Sequence, residues 1–226
     1  MRKVIVIIIG LLFCSFQANA QFFSGESLIN QPDIDNSRLS WGYYLGFNSY
    51  DYSFRYKKYD PNPSTGKDII INRATGFNVG LVGNLKLSNN LDIRVEPGVN
   101  FNNYGVRATF SGDVEEVNST YVHVPLLLKF NANRLNNFRP FVVGGLSASI
   151  NLSSNELNPE ANIRTTTYNY YYEMGVGVDL YFYYFKFSPS LRGIFGINDE
   201  LVSGNADMNN VGQMYARGLF LNFTFQ

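Results

Sequence analysis

The sequence predicts an all-β protein, eight antiparallel strands closed into a barrel that crosses a membrane. Three observations predict it. Segments of alternating polarity recur along almost the whole chain, and the connections between them are short and long in turn. Beyond the first 20 residues no stretch offers 18 apolar residues in a row, so helices cannot make the crossing, whereas strands need only alternate.

The beginning of the chain predicts export. Arg2 and Lys3 precede an apolar run from Val4 to Phe16, and Ala18-Asn19-Ala20 fits a signal-peptidase site before Gln21. The run is shorter than the ~20 residues a spanning helix needs. Cys14 follows the bulky Phe13, where a lipoprotein signal wants a small residue. The expected division is a signal peptide over 1–20, a polar periplasmic extension over 21–39, and a barrel domain over 40–226. Cleavage removes Arg2, Lys3 and Cys14, leaving 16 of the 18 Lys plus Arg against 18 Asp plus Glu. That near balance gives no footprint for nucleic acid. Without cysteine, neither a disulfide scaffold nor a thiol enzyme is available.

The expected strands are 41–56, 76–87, 91–104, 120–130, 137–152, 166–180, 184–195 and 213–225. In the second, Phe77, Val79, Leu81, Leu85 and Leu87 share one face, and Asn78, Gly80, Val82, Asn84 and Lys86 share the other. In the third, Leu91, Ile93, Val95, Pro97, Val99 and Phe101 oppose Asp92, Arg94, Glu96, Gly98, Asn100 and Asn102. A helix would scatter those charges around its circumference, and a strand collects them on one side. In the sixth, Tyr168, Tyr170 and Tyr172 lead into Met174, Val176, Val178 and Leu180 on one face, an aromatic girdle grading into an apolar band. Tyr181 to Tyr184 are expected to form part of the opposite girdle at the short turn. A half-buried face of a soluble sandwich is the competing reading of these tyrosines, and the alternating connections weigh against it.

The connections 57–75, 105–119, 153–165 and 197–212 are long, while 88–90, 131–136 and 181–183 are short. Membrane barrels have short periplasmic turns and long outer loops, which places both chain ends in the periplasm. Pro97, Pro125, Pro140 and Pro189 fall inside expected strands, where each removes a ladder donor and marks a bulge or a strand end.

Strand parity sends Arg94, Glu96, His123, Lys129, Arg139, Glu173, Asp179, Lys186 and Arg192 into the barrel. Uncompensated buried charge costs several kcal/mol, so groups of both signs in a narrow cylinder imply a paired network that plugs the lumen. A catalytic or substrate-gripping cluster is the competing reading. About eight strands enclose just enough space for side chains, as in small OmpA/OmpX-like barrels, whereas aqueous porins use about 16 to 18. The lone His123 supplies no metal cluster, and no nucleophile elbow, phosphate loop or zinc-protease motif is present. No cofactor and no small-molecule substrate is indicated. An envelope-modifying enzyme would have to use His123 with a Ser or Asp near it.

Several stretches resemble the PorT family of the type IX secretion and gliding machinery of Bacteroidetes. They are Trp41-Gly42-Tyr43-Tyr44-Leu45-Gly46-Phe47-Asn48, Gly76 to Leu81, Arg94 to Gly98, Tyr121 to Phe130, and Phe138 to Phe141 with Gly144-Gly145. Tyr172 to Asp179 and Lys186 to Gly193 extend the likeness, together with the Asp35 region ahead of the first strand. The resemblance runs from about Pro32 to the end. It implies an integral outer-membrane barrel required for export of cargo that carries a C-terminal sorting domain, with other type IX components as partners besides lipid. It brings no catalytic residue with it. The width of eight strands argues for an accessory or assembly role beside a larger conduit. A general small outer-membrane barrel of structural or adhesive type is the alternative, and an envelope enzyme or narrow channel is another.

Overall fold

The alternating segments become ten antiparallel strands in the computed structural model, which describes residues 29–56, 69–73, 75–108, 114–154, 156, 165–202 and 211–226. They are β1 (Leu39–Tyr56), β2 (Ile69–Arg73), β3 (Thr75–Lys86), β4 (Leu91–Val95), β5 (Gly98–Ala108), β6 (Val114–Asn131), β7 (Phe138–Asn151), β8 (Tyr168–Tyr181), β9 (Lys186–Gly196) and β10 (Val211–Phe225). The expected signal segment lies outside the described residues. β2 continues the line of β3, and β4 the line of β5, so the wall has eight staves. Neighbours in the chain pair with each other, and β1 pairs both β10 (Tyr43↔Phe225) and β3 (Trp41↔Gly83). The sheet therefore closes. Closure gives every strand in the membrane two partners, which hydrocarbon demands of backbone amides.

Parity holds along each stave. In β3 exposed and buried side chains alternate from Phe77 through Leu81, with Asn78, Val82 and Asn84 buried. Trp41, Leu81, Leu126, Leu128, Leu146, Met174, Val176 and Leu219 stand on the outside. At the end with short turns, Tyr43 stacks on Phe225, Phe187 on Phe223, and Tyr184 is 87 % exposed. At the other end Tyr172 stacks on Phe195 and Phe77 on Phe101, with Tyr168 and Tyr170 exposed beside them. Two aromatic belts thus bracket an apolar band, the pattern of a lipid-facing barrel with a band ~25 Å tall.

The four prolines cause no slip. Pro125 opposes Ser147, Pro140 opposes Val178, and Pro189 opposes Phe223, each in unbroken register. Pro97 occupies the gap between β4 and β5, yet the pairs on either side of it, Gly83↔Val95 and Gly80↔Gly98, share one register. An antiparallel residue points its N–H at one neighbour only, so a proline loses one bond while its carbonyl still accepts. Pro97 accepts from Leu81 at 2.9 Å. Among the described residues the β1–β10 ladder shifts register elsewhere, at Arg55/Tyr56.

Two expected loops are shorter than their sequence suggests. β5 and β6 continue as a hairpin to Arg107↔Val114, and β2 pairs with β5 over Ile69↔Ala108 to Arg73↔Tyr104. Beyond the lipid neither face of a strand has to be apolar, so these extensions carry no apolar alternation to announce them.

Candidate functional site

The lumen is packed, and its two ends are packed differently. At mid-barrel, Arg94 and Glu96 sit two residues apart and so share the inner face of one stave. Arg94 Nη1 lies 3.3 Å from Glu96 Oε1, and Arg94 Nε donates to Asn84 Oδ1 at 2.6 Å. Across the lumen Arg192 of β9 reaches Glu96 Oε2 at 2.7 Å and Glu173 Oε2 at 3.4 Å. Glu173 Oε1 then meets His123 Nε2 at 2.7 Å. The result is one alternating chain, Arg94–Glu96–Arg192–Glu173–His123, drawn from the β4–β5 stave, β9, β8 and β6. Gly175 opposes Arg192 in register, and a Cβ there would run into the Arg192 side chain.

Toward the short turns a second group forms. Lys129 Nζ is 2.5 Å from Asp179 Oδ2, whose other oxygen accepts from Ser188 Oγ at 2.6 Å. The Lys129 ammonium also lies 4.1 Å from the centre of the Phe141 ring, over which Arg94 stands at 5.5 Å. Phe141 thereby joins the two ionic groups through its π faces. Lys186 is buried beside them. Eight of the nine residues that parity sends inward are thus buried. Arg139 is the correction: it is half-buried at the rim, with Nη1 3.4 Å from Asp35. It sits at the second position of its strand, where the wall gives way to the turn.

Asp35 belongs to a short 3-10 turn, Ile34–Asn36, that folds over the barrel end. Its carboxylate accepts from the Tyr181 hydroxyl at 2.7 Å and faces Arg134 and Arg139, while its carbonyl accepts from Lys86 Nζ at 2.7 Å. Asn30 N–H donates to Asn137 Oδ1 and Asn30 Nδ2 to the Tyr181 carbonyl. Arg134 donates to the carbonyls of Asn30 and Gln31 and lies 3.6 Å over the Tyr181 ring. The extension before β1 is therefore a clasp on the short-turn end.

The long-loop end of the lumen holds an aromatic cluster that the parity of the charged residues did not announce. Tyr50, Tyr52, Tyr171, Ile194, Met214, Ala216 and Phe220 form one buried cluster, and Tyr50 stacks on Tyr121 at 5.8 Å. Glu200, from the segment after β9, closes this end. The Tyr171 hydroxyl donates to Glu200 Oε1 at 2.9 Å, Glu200 N–H donates to the Met214 carbonyl, and Thr166 N–H donates to the Glu200 carbonyl. The side chain is 1 % exposed. Burial pushes its carboxyl up to about 7, the Tyr171 hydrogen bond pulls it down, and neighbouring Asp199 adds to the rise.

Of these partners, Lys86 was on the inner face by parity. Asp35, Arg134 and Glu200 lie outside strands, where alternation says nothing. Tyr44 crosses the lumen over two glycines: a Cβ at Gly80 would lie 2.7 Å from its ring, and one at Gly98 would collide with its hydroxyl. Small residues on an inner face, opposite a large one, were the available signal.

The network can hold the barrel shut. Among the described residues no group of three His, Cys, Asp or Glu is placed to hold a metal ion. His123 Nδ1 and Ser149 Oγ, on residues paired across β6 and β7, make no hydrogen bond to described residues, so no serine–histidine nucleophile is assembled.

No curated protein matches this chain. Among solved structures, the outer membrane protein OprG of Pseudomonas aeruginosa is 10 % identical, with 82 % of this chain and 94 % of that one covered at a TM-score of 0.48. Neisserial surface protein A is 12 % identical over 83 % and 98 % (TM-score 0.45), and Ail, the attachment invasion locus protein of Yersinia pestis, 12 % over 82 % and 96 % (TM-score 0.38). The family model for the outer membrane protein beta-barrel domain matches residues 19–202. The chain belongs to that family, and its place is the outer membrane.

Proposed function

We propose that this barrel is an accessory or assembly component of the type IX protein secretion system, needed for export of sorting-domain cargo and not itself the conduit. Its filled lumen carries the second half of that reading: Arg94, Glu96, Arg192, Glu173 and His123 bridge the bore from wall to wall. A folded or extended cargo chain would have to break these ion pairs, each break leaving a buried charge at about 3–5 kcal/mol. The resemblance of residues 41–48, 94–98, 121–130 and 172–193 to the PorT family supports the first half. In this reading residues 1–20 are a cleaved signal peptide, both ends of the mature chain and the clasp face the periplasm, and the long loops face outward. The partners are other type IX components, gliding being affected where the species glides.

Deletion of the gene, with complementation and an outer-membrane integrity control, tests the proposal. Sorting-domain cargo should accumulate in the periplasm of an otherwise sound envelope. Normal export would assign the barrel to a structural or adhesive role instead.

A further inference from the structure

Between the clasp and the ionic lumen lies a cavity of about 30 Å³, open on one side, that the network leaves unused. Its lining includes Lys86, Arg139 and Lys186 against the carboxylates of Asp35 and Asp92, with hydroxyls from Ser37 and Ser40. The two carboxylates are already engaged. Asp35 is held by Tyr181, Arg134 and Arg139, and Asp92 accepts from Asn131 Nδ2 at 2.7 Å. Arg139 is spent as well, on Asp35 and on the carbonyls of Ala132 and Asn89.

Lys186 is different. It is 6 % exposed and its ammonium donates to no described residue, although the Asp179 carboxylate is close enough to feel its charge. The carboxylate deeper in the lumen, Asp179, is taken by Lys129 and Ser188. An ammonium that donates to no described residue keeps three strong donors available for an anion. Lys86 spends one N–H on the Asp35 carbonyl and keeps two. Ser40 Oγ accepts from Asn84 and from Gln226, which leaves its O–H to donate.

We propose that this cavity is an oxyanion site for a phosphoryl group, gripped by Lys186 and Lys86 and by the Ser40 hydroxyl. Two ammonium groups and a hydroxyl suit a compact tetrahedral anion better than a planar carboxylate, since lysine acts as a point charge without the fork that arginine offers. The room, about two water-sized spheres with one open side, fits a small anion or a phosphoryl group entering from the short-turn mouth. Occupation would tie β3 and β9 to the clasp segment through Lys86, Lys186 and Ser37.

The test uses the full mature chain, refolded in maltoside micelles, with side-chain ammonium and backbone amide resonances followed while inorganic phosphate replaces chloride at constant ionic strength. A saturable response confined to Lys186, Lys86 and Ser40 is expected. Lys186→Gln should weaken it by about tenfold or more, as the loss of a charge-assisted bond does. Lys86→Gln, at a less buried position, gives the same reading if the first variant fails to show the heat-modifiable gel migration of a folded barrel. Nanodiscs of phosphatidylglycerol distinguish the source of the phosphoryl group. A site already filled there, and unresponsive to added phosphate, takes the lipid headgroup, whereas an undiminished response takes the free ion. A response that does not saturate, that chloride reproduces, or that survives both substitutions overturns the proposal.

Discussion

The two halves of the lumen obey one parity rule and are filled by opposite chemistries. Toward the short turns the inner face carries Arg94, Glu96, Lys129, Glu173, Asp179 and Arg192, and toward the long loops it carries Tyr50, Tyr121, Tyr171, Ile194 and Phe220. In the first half each side chain is worth what its partner makes it, because a buried ion alone is unfavourable. In the second each contributes through contact area and tolerates neighbours of similar shape. Alternation thus specifies which residues enter a barrel but not what keeps them there. The ionic half should be intolerant of single changes, and the aromatic half graded.

Arg192→Met breaks the comparison hardest, since it removes the shared cation between Glu96 and Glu173 and leaves them only Arg94 and His123. A loss of about 3–5 kcal/mol is expected in urea unfolding from lipid vesicles. Lysine at the same position should recover only part of it, lacking the fork that spans both carboxylates. In the aromatic half, Ile194→Val removes one methyl from the cluster and should cost about 1 kcal/mol in the same assay. Equal losses for Arg192→Met and Ile194→Val would erase the distinction.

The smallest effect is local and depends on pH. The Glu200 carboxyl is raised from the ordinary 4.5 to about 7, chiefly by burial. A group raised on folding contributes stability that is full below its unfolded value and is lost as pH climbs through the folded one. The lid around Glu200 should therefore loosen between about pH 4.5 and 7. Among the described residues the groups facing it are Tyr171, with Tyr50 and Tyr121 beyond, and Asp199 on its own segment. Hydrogen exchange at the Thr166 and Glu200 amides, corrected for intrinsic rate, should show lower protection at pH 8 than at pH 5. Glu200→Gln should flatten that difference and leave the unfolding midpoint near its original place.

Much of this was legible before any coordinates. A period of two is enough to send Arg94, Glu96, His123 and Glu173 inward, because a strand offers a side chain only two directions. The pairing among them was not legible, since it depends on which staves stand opposite each other across the bore. The prolines misled in part: the ladder runs on unbroken through Pro125 and Pro140, while Pro97 does fall where β4 ends. Glu200 escaped altogether, and Asp35 entered only through the family resemblance, for both approach the lumen from its ends, along the one direction that strand parity does not describe. The aromatic half escaped because tyrosine serves equally on a lipid face and in a core. Only the stagger of the staves decides which.

The clasp has a consequence for the order of folding. Asn30 meets Tyr181, 151 residues further on, and Asp35 meets the Tyr181 hydroxyl across a similar span. Contacts of such separation form late, after loop-closure entropy has been overcome elsewhere. The segment 29–36 can be seated only when the β8–β9 turn has been delivered to it, which requires β1 and β10 to have met. Its resistance to a protease is therefore a clock: it should be cut freely while the sheet is still an open ribbon, and become protected in the same kinetic phase that joins the first stave to the last.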